Sequence, residues 1–246
     1  MRPEAVGRDG IPLRRDLLYW LLPMTDIPHP PSRPHAERAS ALRLLVEDLA
    51  IARGGRRVLA GLGFTLASGE ALIVTGRNGA GKSTLLRALA GLLPRLSGHI
   101  AIEGAAEAEE PATLLHYLAH ADGLKAPLNA RENLEFWAQF LGEEPDRRSL
   151  APAEALERVG LAHLSETPVA MLSAGQKRRI ALARLLVVFR PLWLLDEPTS
   201  ALDAASRVRL ARLMTEHRAL GGMIIAATHE PLGLEDAREL TLGANS

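Results

Sequence analysis

The chain has 246 residues, 47% of them hydrophobic, with 29 basic and 29 acidic side chains and no cysteine. That is enough for one large or two small packed domains; zero net charge weighs against a dedicated nucleic-acid binder, which carries a basic excess; and the lack of cysteine excludes a disulfide framework, a zinc–cysteine site and a C-x-x-C-H haem attachment site. No apolar run approaches the roughly 18–20 residues that cross a bilayer, the best candidates being the short runs at 17–22 and 185–189.

At the N-terminus, Arg14 and Arg15 precede the run at 17–22, a faint likeness to a secretion signal, but the run is brief and stops at Pro23 without a small-residue cleavage site. Residues 24–40 hold Pro28, Pro30, Pro31 and Pro34 among serine and histidine, a linker composition. Residues 1–40 are therefore expected to be a disordered extension, with Met24 an alternative start, and 41–246 the ordered domain. Strands are expected over 42–46 and 63–66, with a turn at Gly54-Gly55 between them. The apolar run 71–75 reads as a buried strand ending at a glycine loop, and 82–93 as a helix stopped by Pro94. A strand follows over 99–103, closed by Gly104; 107–110 is an acidic exposed loop; 114–118 is a buried strand. From 129 to about 170 the pattern is helical, carrying Leu134, Phe136, Trp137 and Phe140, then Leu156 and Val159, with Pro127 and Pro145 as punctuation. An amphipathic helix over 176–188, a buried strand over 192–195, a helix over 204–220, a break at Gly221-Gly222 and a buried strand over 223–228 complete the pass. Apolar strands alternating with helices argue an α/β fold, with the helical stretch at about 126–175 as a subdomain beside the sheet.

Two segments carry chemistry. Gly76-Arg77-Asn78-Gly79-Ala80-Gly81-Lys82-Ser83 fits G-x-x-x-x-G-K-[ST], the phosphate-binding P-loop, in its required context of strand, loop and helix. Glycines let the backbone N–H groups face phosphate; Lys82 reaches the β- and γ-phosphates, the Ser83 hydroxyl suits Mg²⁺, and Thr84 follows in the first helical turn. The competing structural explanation, a glycine-rich turn before a helix, is weak beside that apolar strand. Farther on, Leu192-Trp193-Leu194-Leu195-Asp196-Glu197 brings two carboxylates to the C-terminal end of a strand, where α/β sheets place ligands. Asp196 suits the Mg²⁺ shell and Glu197 the attacking water.

Leu172-Ser173-Ala174-Gly175-Gln176 resembles the signature sequence of the ABC ATPases, 192–199 resembles their Walker B motif, Ser200-Ala201-Leu202-Asp203 their D-loop, and Thr228-His229 their switch histidine. The resemblance covers about 42–234, with every landmark in the family's order. It implies a P-loop NTPase core with a mixed or parallel sheet, an N-terminal antiparallel β subdomain and a helical signature subdomain. It also implies ATP and Mg²⁺ as cofactors, His229 at the γ-phosphate, and a homodimer on ATP binding in which Ser173, Ala174, Gly175, Gln176 and Asp203 of one subunit face the nucleotide of the other. Three positions depart from the pattern. Ala174 replaces a second glycine; Arg53 stands near the place of the adenine-stacking aromatic ring; and His120, in Tyr117-Leu118-Ala119-His120, aligns with the Q-loop glutamine. His120 is left open between a sensor of Mg²⁺ or water and a residue of the coupling loop, and Arg53 between a stacking partner and a solvated side chain.

The run Leu128-Asn129-Ala130-Arg131-Glu132-Asn133-Leu134, the signature followed by Lys177-Arg178-Arg179, and Gly221-Gly222-Met223-Ile224-Ile225 are similar to the cytochrome c biogenesis ATPases, the haem-exporter subunits of the CcmA family. That resemblance implies an ATP-hydrolysing translocase subunit at the cytoplasmic face of the bacterial inner membrane, peripheral, with separate CcmB- and CcmC-like membrane subunits. It implies no nucleic acid and no direct haem contact. The alternatives are an ATPase subunit of another ABC transporter and a soluble ABC ATPase of translation or repair.

Overall fold

The structure, a computed structural model, describes residues 42–105, 111–141 and 146–243. The expected extension at 1–40 and the acidic loop at 107–110 lie outside the described residues.

Two sheets organise these residues. An antiparallel sheet of order β2-β1-β4 is built from β1 (Arg43–Arg53), β2 (Arg56–Ala67) and β4 (Ser97–Glu103). A sheet of order β5-β6-β7-β3-β8 contains β3 (Ala71–Thr75), β5 (Leu115–Leu118), β6 (Leu192–Asp196), β7 (Met223–Ala227) and β8 (Arg238–Thr241), and every pairing in it is parallel. The helices are α1 (Lys82–Leu89), α2 (Ala130–Leu141), α3 (Pro152–Arg158), α4 (Ala174–Val187) and α5 (Ala204–Ala219). The α/β expectation, with an antiparallel N-terminal sheet and a helical stretch, is borne out.

Strands buried on both faces read as continuous apolar runs, and β6 and β7 are buried at every position. Their side chains alternate between two cores. Trp193, Leu195, Ile224 and Ala226 join Leu134, Trp137, Leu156 and Ile180 of the helices. Leu192, Leu194, Ile225 and Ala227 join Leu85 and Leu86 of α1 and Leu44, Val46 and Leu66 of the antiparallel sheet. The central strands thus bind the two halves into one body, and the C-terminal ends of β3 and β6, with β7 between them, emerge at the same edge of the sheet.

Several boundaries differ from the sequence pattern. The first strand runs past 46 to Arg53, because an irregularity between Val46 and Leu49, with Asp48 at φ 45, breaks the alternation without ending the pairing. Helix α1 stops at Leu89 rather than near Pro94: Ala90 caps it and the chain turns at Gly91, φ 72. The helical stretch 129–170 divides into α2, α3 and two short 3₁₀ turns, 162–164 and 169–171. Helix α4 is not amphipathic. Arg178, Ile180, Ala181, Leu182, Ala183, Arg184, Leu185 and Val187 bury it on all sides, against α2, α3 and the sheet.

Candidate functional site

The loop 76–81 leaves β3 and enters α1 through three glycines of positive φ, Gly76 (132), Gly79 (83) and Gly81 (102). A Cβ on Gly76 would lie 2.5 Å from the Leu242 carbonyl, and one on Gly81 2.9 Å from the Val58 side chain. The first residue of β2's apolar edge and the turn after β8 therefore hold the loop tightly, and only glycine fits. Gly81 caps α1 without a side-chain bond, so the first N–H groups of the helix are free of an internal acceptor and suited to an anion.

Lys82 is buried, and its ammonium donates to the carbonyls of Gly76 (2.7 Å) and Arg77 (3.5 Å) and to Nε2 of His229 (2.7 Å). The Asn78 side-chain oxygen lies 3.2 Å from the same ring nitrogen. His229 comes from the segment after β7, so the loop's lysine meets a histidine 147 positions away. Beside them the Ser83 hydroxyl donates to Oδ1 of Asp196 at 3.0 Å, and the Tyr117 hydroxyl approaches Oδ2 at 3.4 Å. Asp196 is buried at the end of β6. Burial raises the Tyr117 phenol above its ordinary value, with Arg87 opposing.

Glu197 follows in the left-handed region, φ 46, a costly conformation for a side-chain-bearing residue. Its N–H donates to the Ala227 carbonyl at 2.9 Å, and its own carbonyl accepts from Ser200 at 3.1 Å and from Arg178 at 2.8 Å. These bonds hold a half-buried carboxylate next to Asp196.

The remaining expected residues divide. Ser173 caps α4: it accepts from the Gln176 N–H, and its own N–H donates to Oε1 of Gln176, a capping box. Ser173 and Ala174 are exposed, whereas Gly175 is pressed against the chain, its missing Cβ 2.7 Å from the Ala201 carbonyl. Among the described residues no hydrogen bond joins 173–176 to the loop 76–83. Asp203 caps α5 by accepting from the Ser206 N–H at 2.7 Å, and hydrogen bonding by the Ser206 side chain first, then by this N–H, holds its carboxyl below the usual range. Arg53 is exposed at the β1–β2 turn. His120 is also exposed, in the bend after β5, and makes no hydrogen bond among the described residues; Tyr117, three residues earlier, takes the contact with Asp196 instead.

The sequence pattern assigns no role to two residues central to this geometry. Arg178, inside the basic run Lys177-Arg178-Arg179, reads as solvated but is 3% exposed and bonded to five acceptors. Arg184 lies 4.5 Å over the Trp137 ring and donates to the carbonyls of Tyr117 (3.2 Å) and Asp122 (3.4 Å); burial pushes it down to about 10. Arg184 did leave a signal, a single charge in the apolar run 180–187, since a buried charge must find partners.

The family model described as ABC transporter matches residues 59–200. The "Cytochrome c biogenesis ATP-binding export protein CcmA" of Chelativorans sp. (strain BNC1) is 52% identical over 206 residues, 83% of this chain and 100% of that protein. The protein of the same name from Rhodopseudomonas palustris (strain BisB5) is 56% identical over 78% of this chain and 94% of its own length. A solved structure described as the ATP binding subunit of an ABC transporter superposes with a TM-score of 0.71 at 28% identity, covering 81% of this chain and 85% of that one.

Proposed function

Since the chain belongs to the ABC transporter ATPases and, within them, to the CcmA family, we propose that it is the ATP-hydrolysing subunit of the exporter that serves cytochrome c maturation. ATP binding and its hydrolysis for translocation follow from the family; the roles below, the metal and the partners are our assignment.

ATP enters by placing its β- and γ-phosphates on the N–H groups of the loop 76–83 and the start of α1. Lys82 turns from the carbonyls of Gly76 and Arg77 to the phosphates, which gives a charge-assisted contact. Mg²⁺ suits the neighbouring oxygens: the Ser83 hydroxyl and Asp196 carboxylate are 3.0 Å apart, a hard donor pair. We assign both to the metal, which when bound neutralises charge on the β/γ oxygens. Glu197 orients and polarises the attacking water. His229 releases Lys82 and takes a γ-phosphate oxygen, stabilising charge as the bond breaks. Ser173, Ala174, Gly175, Gln176 and Asp203 complete the site of a second copy in an ATP-bound homodimer. We place the subunit peripherally at the cytoplasmic face of the inner membrane, against CcmB- and CcmC-like membrane subunits. Among its described residues no helix is long and apolar enough to cross a membrane.

The observation that carries this reading is the meeting of Lys82, His229, Ser83 and Asp196 within hydrogen-bonding distance around one glycine loop. The test is ATP turnover by the full chain with its co-purifying membrane subunits. Lys82→Ala should lower turnover by about a hundredfold or more while the fold persists, since it removes a contact strengthened as charge develops. Equal rates in variant and wild type would remove the P-loop assignment, and recovery of no haem-handling membrane protein would remove the exporter assignment.

A further inference from the structure

Three segments distant in sequence meet at one buried side chain. Arg178 lies in the second turn of α4, five residues after Ser173. Its Nη2 donates to the carbonyls of Asp196 (2.9 Å) and Glu197 (2.8 Å), its Nε to that of Pro198 (3.4 Å), and its Nη1 to the Ala119 carbonyl (2.8 Å) and Oδ1 of Asp122 (3.1 Å). A guanidinium has five N–H donors in a rigid fork, and all five are engaged here. Three bonds end on the backbone of the turn bearing Glu197, and two on the segment 119–122, which includes His120. Asp122 is 24% exposed against 3% for Arg178, so the pair is shielded at one end and reachable from solvent at the other.

We propose that Arg178 is the positioning residue for Glu197, and that it aims this carboxylate only while the segment 119–122 is docked. Glu197 has the left-handed backbone described above, a conformation that persists when surrounding bonds over-determine it. The Arg178 bond to its carbonyl is one of those bonds, and the neighbouring bonds on Asp196 and Pro198 fix the residues on either side. Because the same planar group holds Ala119 and Asp122, withdrawal of that segment removes two of the five acceptors and leaves a charge that must reorient. The turn at 196–198 and the loop at 119–122 are thereby made to move together. Lysine cannot replace this function: its three donors diverge from a single point and do not span from Ala119 to Glu197.

The proposal rests on the reading of the chain as an ATPase with Glu197 at the water. It is tested by steady-state turnover and by binding of a fluorescent ATP analogue, using the full chain assembled with its membrane subunits. Arg178→Lys and Arg178→Gln should lower kcat about tenfold or more, because a misaimed group loses rate without losing substrate, and should leave the analogue's Kd within about twofold. Asp122→Asn, a change at the solvent side of the clamp, should fold normally and lower kcat about threefold with Kd unchanged; it decides the matter if the Arg178 variants do not fold. A kcat in these variants equal to wild type overturns the proposal. So does a loss of kcat matched by an equal loss of affinity, which describes general damage to the site. A wild type that does not turn over ATP overturns the ATPase reading and this proposal with it.

Discussion

At the level of single residues, the signature segment separates two positions that the sequence pattern treats alike. Ala174 is exposed at the start of α4, so a methyl group there meets solvent. Gly175 faces the Ala201 carbonyl, and a Cβ at 2.7 Å has no room because the obstructing atom is backbone and cannot rotate aside. Alanine for glycine inside a helix gains about 1 kcal/mol of propensity, whereas overpacking costs about 1–3 kcal/mol. The clash prevails, and Gly175→Ala should lower the melting temperature by about 2–4 °C for a chain of this size. It should also depress ATP turnover by displacing the 200–203 segment. A melting temperature unchanged or raised would mean that Ala201 moves away freely.

At the level of elements, α5 and β6 share a buried titrating group. His217 of α5 stacks on Trp193 of β6, with ring centroids 4.0 Å apart and planes 11° apart. Burial lowers it from 6.5 to about 4, and burial likewise lowers His116, which donates to the Val188 carbonyl at 2.8 Å. The neutral rings fit the fold. An unfolded His217 takes up a proton near 6.5 while the folded one does so near 4, so acid in that interval favours unfolding. The stability held by His217 is complete above pH 6.5 and lost progressively toward pH 4, up to about 3 kcal/mol at 1.36 kcal/mol per unit. Melting temperatures measured across that window should fall less steeply for His217→Phe, which keeps the stack and removes the titration; parallel slopes would assign the acid lability to other groups. None of this is visible in the chain, because His217 sits among charged residues, Glu216 and Arg218, on a helix whose pattern reads as surface. The same limit hid β8. Its sequence, Arg238-Glu239-Leu240-Thr241, is short and mostly exposed, and edge strands carry charge rather than apolar alternation. Where burial wrote a continuous run, as in β3, β6 and β7, strand and boundary were both legible. Where a side chain acts through its partners, as with Arg178 and Tyr117, only the folded chain identifies it.

At the level of the whole molecule, the two features that the proposed dimer joins, a phosphate loop at the end of β3 and an exposed helix start at Ser173, are unbonded to one another among the described residues. In the proposed ATP-bound homodimer, two copies would complete both. Glu197→Gln should bind ATP, fail to cleave it and collect as a dimer, read by light scattering at saturating ATP and Mg²⁺ in the presence of the membrane subunits. A persistent monomer would argue against closure by two copies. The contacts of Lys82 set the terms of that cycle. Gly76, Arg77 and His229 supply three acceptors to the Lys82 ammonium within the chain itself. On the proposed reading, a phosphate that takes the Lys82 ammonium replaces contacts that the lysine makes within the chain, so this part of the affinity is a difference between two bonded arrangements. A lysine that has bonds to return to gives up its phosphate at less cost, which suits an engine that must discharge its spent fuel after every stroke.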